Sequence, residues 1–397
     1  MIKNVLISAC IVIQASCLAF EDDLDMLLGE APAKQQTWSG VFEANLLVLD
    51  GQTQSAIGTN QFARLESYTQ LWQGQWVNHA QIDFDYINHG WALPMFVRPD
   101  VADRAVDLEW QDIQSHHQWH TQLDWSYWQR SFANSSLTVG RQPVTLGLGR
   151  VFSPTDPLGA FNVFDLDRLY KSGVDAIKYD YFLTGSVQTQ SIATVNNHDH
   201  LQLLQTIKGS LAQGVWLVTL AHREEQNYIS VSAQHYIAGL DVDGYTEYLY
   251  GSLSNTSETV FKQDSHQRML LGISTKMGAN GTLAIEWLQQ TLAANTQSDY
   301  TLWQQRYKRS NITNLGIAKR YLAVSYADEW NDLTRYELLA MQNLVDDHIN
   351  VSAVITHSAS DNLQLRFALA YTPSSGPINS EFEQFSDLVQ LGIRYYF

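Results

Sequence analysis

The final nine residues, 389–397 (VQLGIRYYF), alternate without a break: Val389, Leu391, Ile393, Tyr395 and Phe397 fall on one parity, Gln390, Gly392, Arg394 and Tyr396 on the other. A period of two is the signature of a β-strand. One wholly apolar face, with an arginine on the opposite face, suits a strand that separates two media, lipid outside and water inside. The alternative is an edge strand of a soluble sheet.

The same parity test succeeds elsewhere in the chain. Over 76–87, Trp76, Ala80, Ile82, Phe84 and Tyr86 oppose His79, Gln81, Asp83 and Asp85; over 119–130, Trp119, Leu123, Trp125 and Tyr127 oppose His120, Gln122, Asp124 and Arg130. Leu363, Leu365, Phe367, Leu369 and Tyr371 oppose Gln364 and Arg366. In a membrane barrel the apolar parity meets lipid and the polar parity lines the lumen. Eighteen such strands are expected between 38 and 397, all antiparallel, with 389–397 closing the barrel against 38–49. A further candidate, 106–111, is excluded because long external loops and short periplasmic turns must alternate. The reading puts a long connection at 223–233, a turn at Asp243, and long loops at 88–117, 143–173 and 292–314.

Residues 1–19 read as a secretory leader: Lys3 gives the positive end, 5–13 the apolar core, and Cys17, Leu18 and Ala19 the cleavage site. Both cysteines, Cys10 and Cys17, lie inside it, so no disulfide or thiol chemistry is expected in the mature chain. A lipoprotein would need Cys17 as its first residue, and Gln14 stands where that signal wants an apolar side chain. Past the leader no apolar run is long enough for a membrane helix. Yet 45% of the chain is hydrophobic, and 12 Trp, 19 Tyr and 15 Phe accompany only 8 Pro. That combination fits strands crossing lipid. A formal net charge of −17 excludes a nucleic-acid partner and favours cations nearby. Residues 20–37 form an acidic periplasmic tail with Leu24, Leu27 and Leu28 at helical spacing, a candidate dock for a periplasmic partner.

Charges of both signs concentrate in 140–181, where a glycine- and proline-rich loop also carries Phe152, Phe161, Phe164 and Leu166. So apolar a loop is poorly suited to water and is expected to fold into the lumen. Its pore or constriction candidates are Arg150, Asp156, Asp165, Asp167, Arg168, Lys171, Lys178 and Asp180; opposed arginine and aspartate across a narrow pore set a field and a size limit. The other reading is that these charges pair and pin the loop. Arg141 shares parity with lipid-facing Leu137 and Val139, which requires either a bulge or the end of the membrane. Other lumen candidates are Glu43, Asn45, Arg64, Glu66, Asp83, Asp85, Asp124, Lys276, Glu286, Arg366 and Arg394, with Arg394 near Glu43 or Asn45 if the first and last strands pair. His116 and His120 point inward and His117 away, which leaves a metal site without a fixed third ligand. No metal, cofactor or catalytic residue is expected.

The run Gly140, Arg141, Gln142, Gly147, Gly149, Arg150, Phe152, Pro154, Thr155, Asp156, Asp167, Arg168, Lys171, Ser172, Gly173, Val174, Asp175 and Ala176 resembles a stretch of porin-like outer-membrane proteins, including the alginate-export family. The terminal Phe397 with alternate apolar residues resembles a barrel-assembly recognition signal, which implies the barrel-assembly machinery as a partner. The resemblance implies an 18-stranded barrel in the outer membrane of a Gram-negative cell. The acidic excess of this chain speaks against export of a polyanion. The expected activity is passive diffusion of small hydrophilic solutes, with cations favoured and outer-membrane lipid as the surroundings. Three alternatives stand beside it: an exporter of polysaccharide or another specific substrate, a structural or complex-forming barrel, and an outer-membrane hydrolase.

Overall fold

The computed structural model describes residues 36–50, 55–89, 104–106, 108–158, 170–224, 226–310, 312–373, 380–382 and 387–397. The leader and most of the acidic tail therefore lie outside the described residues. So do Asp165, Asp167, Arg168, Phe161, Phe164 and Leu166.

The chain builds one closed antiparallel sheet. Its strands are β1 (Gln36–Asp50), β2 (Ser55–Leu71), β3 (Gly74–Ile87), β4 (Glu109–Ile113), β5 (His117–Ser131), β6 (Ser135–Gln142), β7 (Val174–Thr184), β8 (Val187–Val195), β9 (Leu201–Leu211) and β10 (Gly214–His222). They continue with β11 (Gln226–Ile237), β12 (Val242–Leu253), β13 (Ser265–Met277), β14 (Gly281–Gln290), β15 (Arg320–Asn331), β16 (Thr334–Asn343), β17 (Ile349–Ser360), β18 (Leu363–Tyr371) and β19 (Asp387–Tyr396). Eighteen of them form the wall. The exception is β4, which pairs with 118–122 of β5 on the edge whose lower part, 126–131, pairs with β6. Excluding 106–111 from the wall was therefore sound, although a short strand does begin at Glu109.

Closure follows the expected pairing: β1 and β19 run in register from Val41 opposite Tyr396 to Asp50 opposite Asp387. The last residue completes it, because Phe397 exchanges backbone hydrogen bonds with Gly40 and a Cβ on Gly40 would lie 2.3 Å from the Phe397 ring. Short turns gather at the end that holds both termini; in one of the two-residue turns there, Trp72 and Gln73 are both at positive φ. Lipid-facing positions are exposed leucine, isoleucine, valine and aromatic side chains, among them Phe42, Leu46, Ile82, Leu203, Ile273, Leu391 and Ile393. No helix among the described residues is long and apolar enough to cross a membrane, so strands do the crossing.

Three readings need correction. The stretch 226–233 is strand, not loop: β11 pairs with β12 from Gln226 to Ile237, and the turn falls at 238–241 rather than at Asp243. Its outward residues Ile229 and Val231 are exposed while Tyr228, Ser230 and Ser232 are buried inside, so the polar parity was too small and mixed to stand out. Second, Trp125 faces the lumen. A register shift between His79 and Ala80, opposite Trp125 and Leu123, makes Asp124 an extra residue and reverses parity beyond it. Third, the loop expected at 292–314 extends across 291–319 and contains a helix.

Arg141 is buried although it keeps the parity of Val139, because its guanidinium bonds to Asp175 and to the carbonyls of Leu123 and Val106; before it, Gly140 has φ +117, a conformation that side chains rarely adopt, and a Cβ there would meet the Ser126 carbonyl at 2.3 Å.

Candidate functional site

The interior is filled by two different kinds of structure. Along β12–β16 the inward side chains include Leu270, Leu288, Tyr321 and Met341, and connections from one barrel end pack on them. Helix α1 (Asn255–Phe261) contributes Phe261, and α2 (Tyr300–Tyr307) contributes Tyr300, Trp303 and Tyr307. Phe261 stacks on Trp303 at 5.9 Å and meets Tyr307 edge-on at 5.6 Å. Phe152, from the loop after β6, is fully buried in the same cluster, 5.9 Å from the Tyr321 ring. The described part of the loop, 143–158, thus crosses the lumen from β6 to the far wall, with Phe152 buried as its apolar side chain requires.

Two carboxylates hold it there. Glu247 of β12 accepts the amide N–H groups of Leu148, Gly149 (2.7 Å) and Thr155 (3.2 Å), and the Thr155 hydroxyl (2.7 Å). Glu286 of β14 accepts those of Arg150 (2.6 Å), Val151 (3.1 Å) and Phe152 (2.9 Å), plus the Tyr245 hydroxyl (2.8 Å). Both glutamates are essentially inaccessible, at 0% and 1% exposure. Charge-assisted bonds of this kind are about twice as strong as neutral ones. Gly149 permits the turn, since a Cβ would sit 1.7 Å from the Phe152 carbonyl oxygen. Gly272 lets the Tyr245 ring lie flat and reach Glu286; a Cβ would stand 2.1 Å from that ring.

The loop's two ends are fastened by Lys171, whose ammonium lies 2.5 Å from Asp156 and 3.4 Å from the Thr145 hydroxyl. Burial pushes the Asp156 carboxyl up, and Lys171 beside it pulls the other way. Asp156 and Lys171 therefore sit as a buried pin. Arg150 is exposed, with its guanidinium 6.0 Å from the Tyr245 ring centre.

Across the lumen, β18, β19, β1, β2, β3 and β5 present charges of both signs. Glu43 lies 2.5 Å from Arg394 and 3.6 Å from Arg366, and accepts from the Asn45 amide at 2.9 Å. Asn45, Asn60, Asp85 and Gln118 continue as a hydrogen-bonded rung over four strands, at 3.1, 2.6 and 2.7 Å. Nearer the short-turn end, Arg64 pairs with Asp124 at 3.1 Å and Glu66 at 3.4 Å, stacked between Tyr170 (3.9 Å) and Trp125 (4.9 Å). The Trp125 indole donates to the Lys171 carbonyl at 2.9 Å, tying wall to loop. Arg104 takes the other oxygen of Asp124 at 2.8 Å and reaches Glu109 at 3.2 Å. His120 bridges Asp83 and Glu109, both at 3.1 Å. A hydrogen bond from His120 holds the Glu109 carboxyl below its usual range against the effect of burial, with Arg104 adding to it. Arg141 pairs with Asp175 at 2.8 Å.

Of the sequence candidates, Glu43, Arg64, Glu66, Asp83, Asp85, Asp124, Arg366 and Arg394 come together on this one wall, and Glu286 stands opposite as a loop anchor. Lys178 and Asp180 sit apart on β7, 4.0 Å from each other, where Asp180 accepts from Gln188 and Gln190 at 2.8 Å each. Sequence reasoning missed Glu247, Arg104 and Glu109. Glu247 was findable: it shares parity with Tyr245 and Leu249, while Tyr248 and Tyr250 occupy the other face. No group of metal-binding side chains is assembled among the described residues.

No family model and no curated protein matches the sequence. Solved structures match its fold. OccK2 (OpdF) of Pseudomonas aeruginosa gives a TM-score of 0.59 at 8% identity, covering 91% of this chain and 98% of that one. The same protein in complex with glucuronate gives 0.58 at 9%, with the same coverage. OccAB3 of Acinetobacter baumannii gives 0.56 at 9%, covering 91% and 99%. These are outer-membrane porins with 18-strand barrels; the alginate-export resemblance receives no support from them. At such identities the likeness is one of fold.

Proposed function

We propose that the protein is an outer-membrane channel of a Gram-negative cell that passes small hydrophilic solutes through a passage narrowed by the 143–158 loop. The observation that carries this is the loop itself, drawn across the lumen by Glu247 and Glu286 to face a wall of interleaved arginines and carboxylates. A barrel built only to bridge or to display loops gains nothing from a mixed-charge wall left opposite a clamped strap. A channel gains a size limit and a transverse field. The fold shared with Occ porins supports the same reading.

Cation preference belongs to this proposal through the acidic excess of the chain. A second reading, passage of carboxylate-bearing sugars, is favoured by the two arginines that share Glu43, and by the glucuronate bound to OccK2. Also proposed are the leader at 1–19, the tail at 20–37 with its periplasmic partner, and recognition of the last strand by the assembly machinery.

The test is a planar bilayer recording of purified barrel. Stable conductance steps are expected, and a reversal potential in a salt gradient reads which ion is preferred. A barrel that shows heat-modifiable migration, and so is folded, yet stays silent would sink the channel reading.

A further inference from the structure

Between the crossing loop and the short turns, the inner face of the wall carries two lysines that no described group engages. Lys208 of β9 shares parity with Leu204 and Thr206, both buried inside, and Lys276 of β13 shares parity with buried Ser274. Among the described residues neither ammonium has a hydrogen-bond or ion-pair partner. Other inner cations are held: Arg366 and Arg394 by Glu43, Arg64 by Asp124, and Lys178 by Asp180. Beside Lys208 the inner face turns apolar. Leu217 of β10 stands directly opposite it, and Val215, nearer the short turns, is 41% exposed although its parity is that of buried Thr219. Arg335 of β16, on the parity of buried Met341, adds a third exposed cation, met by Glu337 at 3.1 Å.

An inner face that mixes exposed apolar side chains with free ammonium groups fits an acidic amphipathic segment. The chain holds one within reach. Residues 20–35 carry Glu21, Asp22, Asp23, Asp25 and Glu30 against Lys34 alone, with Leu24, Leu27 and Leu28 at helical spacing. They join the barrel at Gln36, which pairs with Thr69 at the short-turn end, the same mouth that Lys276 and Arg335 border. A segment of that length reaches about 50 Å when extended, enough to turn back into the lumen. The arginines of the polar wall already have carboxylates, so the free lysines are the open positions. We infer that residues 20–35 fold back into the lumen from the short-turn end, with their carboxylates on Lys208 and Lys276 and their leucines on Val215 and Leu217. The docking rests on removal of the leader, and its effect on conduction rests on the channel reading. The docked tail partly fills the passage that the crossing loop leaves and lines it with carboxylates, which gives the cation preference a local source.

Zero-length carbodiimide coupling of the full barrel in detergent reads the docking whether or not the barrel conducts. Amide links from the carboxylates of 21–30 to Lys208 or Lys276 are expected, and they should stay within one chain when light and isotope-labelled protein are mixed. They should fade at about 1 M salt, where the screening length shrinks to about 3 Å from about 10 Å at 0.1 M. In Lys208→Gln with Lys276→Gln, heat-modifiable migration is expected to be kept while protease gains access to the tail. Deletion of 20–35 behind an intact leader should raise single-channel conductance, and a synthetic peptide of that sequence added from the short-turn side should lower it again. A folded barrel that yields no tail link to either lysine overturns the docking, and so does a tail cut equally fast in the wild type and the double variant. Conductance unchanged by the deletion overturns the narrowing. Links formed in a silent barrel sink the channel reading and leave the docking standing.

Discussion

Glu43 and Glu286 are both buried carboxylates on barrel strands, at 4% and 1% exposure, and they hold opposite kinds of partner. Glu43 holds side chains: two arginines from neighbouring strands and one amide. Glu286 holds mainly backbone, three successive amides of the crossing loop, with the Tyr245 hydroxyl beside them. The difference separates a part of the interior that must stay still from a part that can respond. Backbone amides have no alternative rotamers and no formal charge, so once gathered around a carboxylate they fix the path of the chain. Arginine side chains keep several rotamers, and an arriving solute can compete for their hydrogen bonds. The sector along β12–β16 is a small protein core built inside a barrel, and the sector from β18 to β5 is a polar wall facing it.

The sharpest way to break that comparison is to remove the backbone clamp. In Glu247→Ala with Glu286→Ala, six loop amides lose their acceptors, and each buried unsatisfied donor costs about 1–3 kcal/mol. The loop should leave the far wall. Single-channel recordings should show larger, noisier conductance, and protease should cut within 143–158 where the native barrel resists. Unchanged conductance would mean that the loop does not narrow the passage. Next in size is Phe152→Ala, which opens a cavity in the aromatic cluster and should cost about 3–5 kcal/mol. That loss reads as a lower urea midpoint for heat-modifiable folding, with ion selectivity little altered because no charge of the wall is touched.

The two sectors also differ in how far the sequence betrays them. Where the interior is polar, contrast between parities is strong, and 76–87 and 389–397 can be read as strands with their inward residues named. The contact of Arg394 with Glu43 follows from that alternation plus closure. Where loops fill the interior, inward residues are apolar too. In β14, Leu283, Ile285 and Trp287 point out while Ala284 and Leu288 are buried inside, so period two fades. β11 was misplaced for a related reason, its inner parity being serines and a tyrosine. Trp125 shows another limit: a single extra residue at Asp124 reverses every assignment beyond it, and nothing local in the sequence announces it. Loop anchors such as Glu247 are invisible for a third reason. Their partners are amides 92–99 residues away, and amides carry no residue-type signal.

On the polar wall the expected effects are smaller in stability and larger in selectivity. Glu43→Gln keeps the shape but removes the charge between Arg366 and Arg394, and loss of its charge-assisted bonds should cost about 2 kcal/mol. The reversal potential in a salt gradient should move toward anions. The comparison predicts a contrast with Glu286→Gln, which removes the same charge from the loop side and should alter conductance noise more than selectivity. Smallest of all is the exposed pair of Arg335 and Glu337 on β16, 3.1 Å apart with both side chains more than half exposed. Arg335→Ala should change stability by less than about 1 kcal/mol, because water screens the pair and two flexible side chains give up entropy to form it. If Arg335→Ala shifted selectivity as much as Glu43→Gln, then selectivity would follow total charge at the barrel mouth, and the arginine wall would lose its claim to set it.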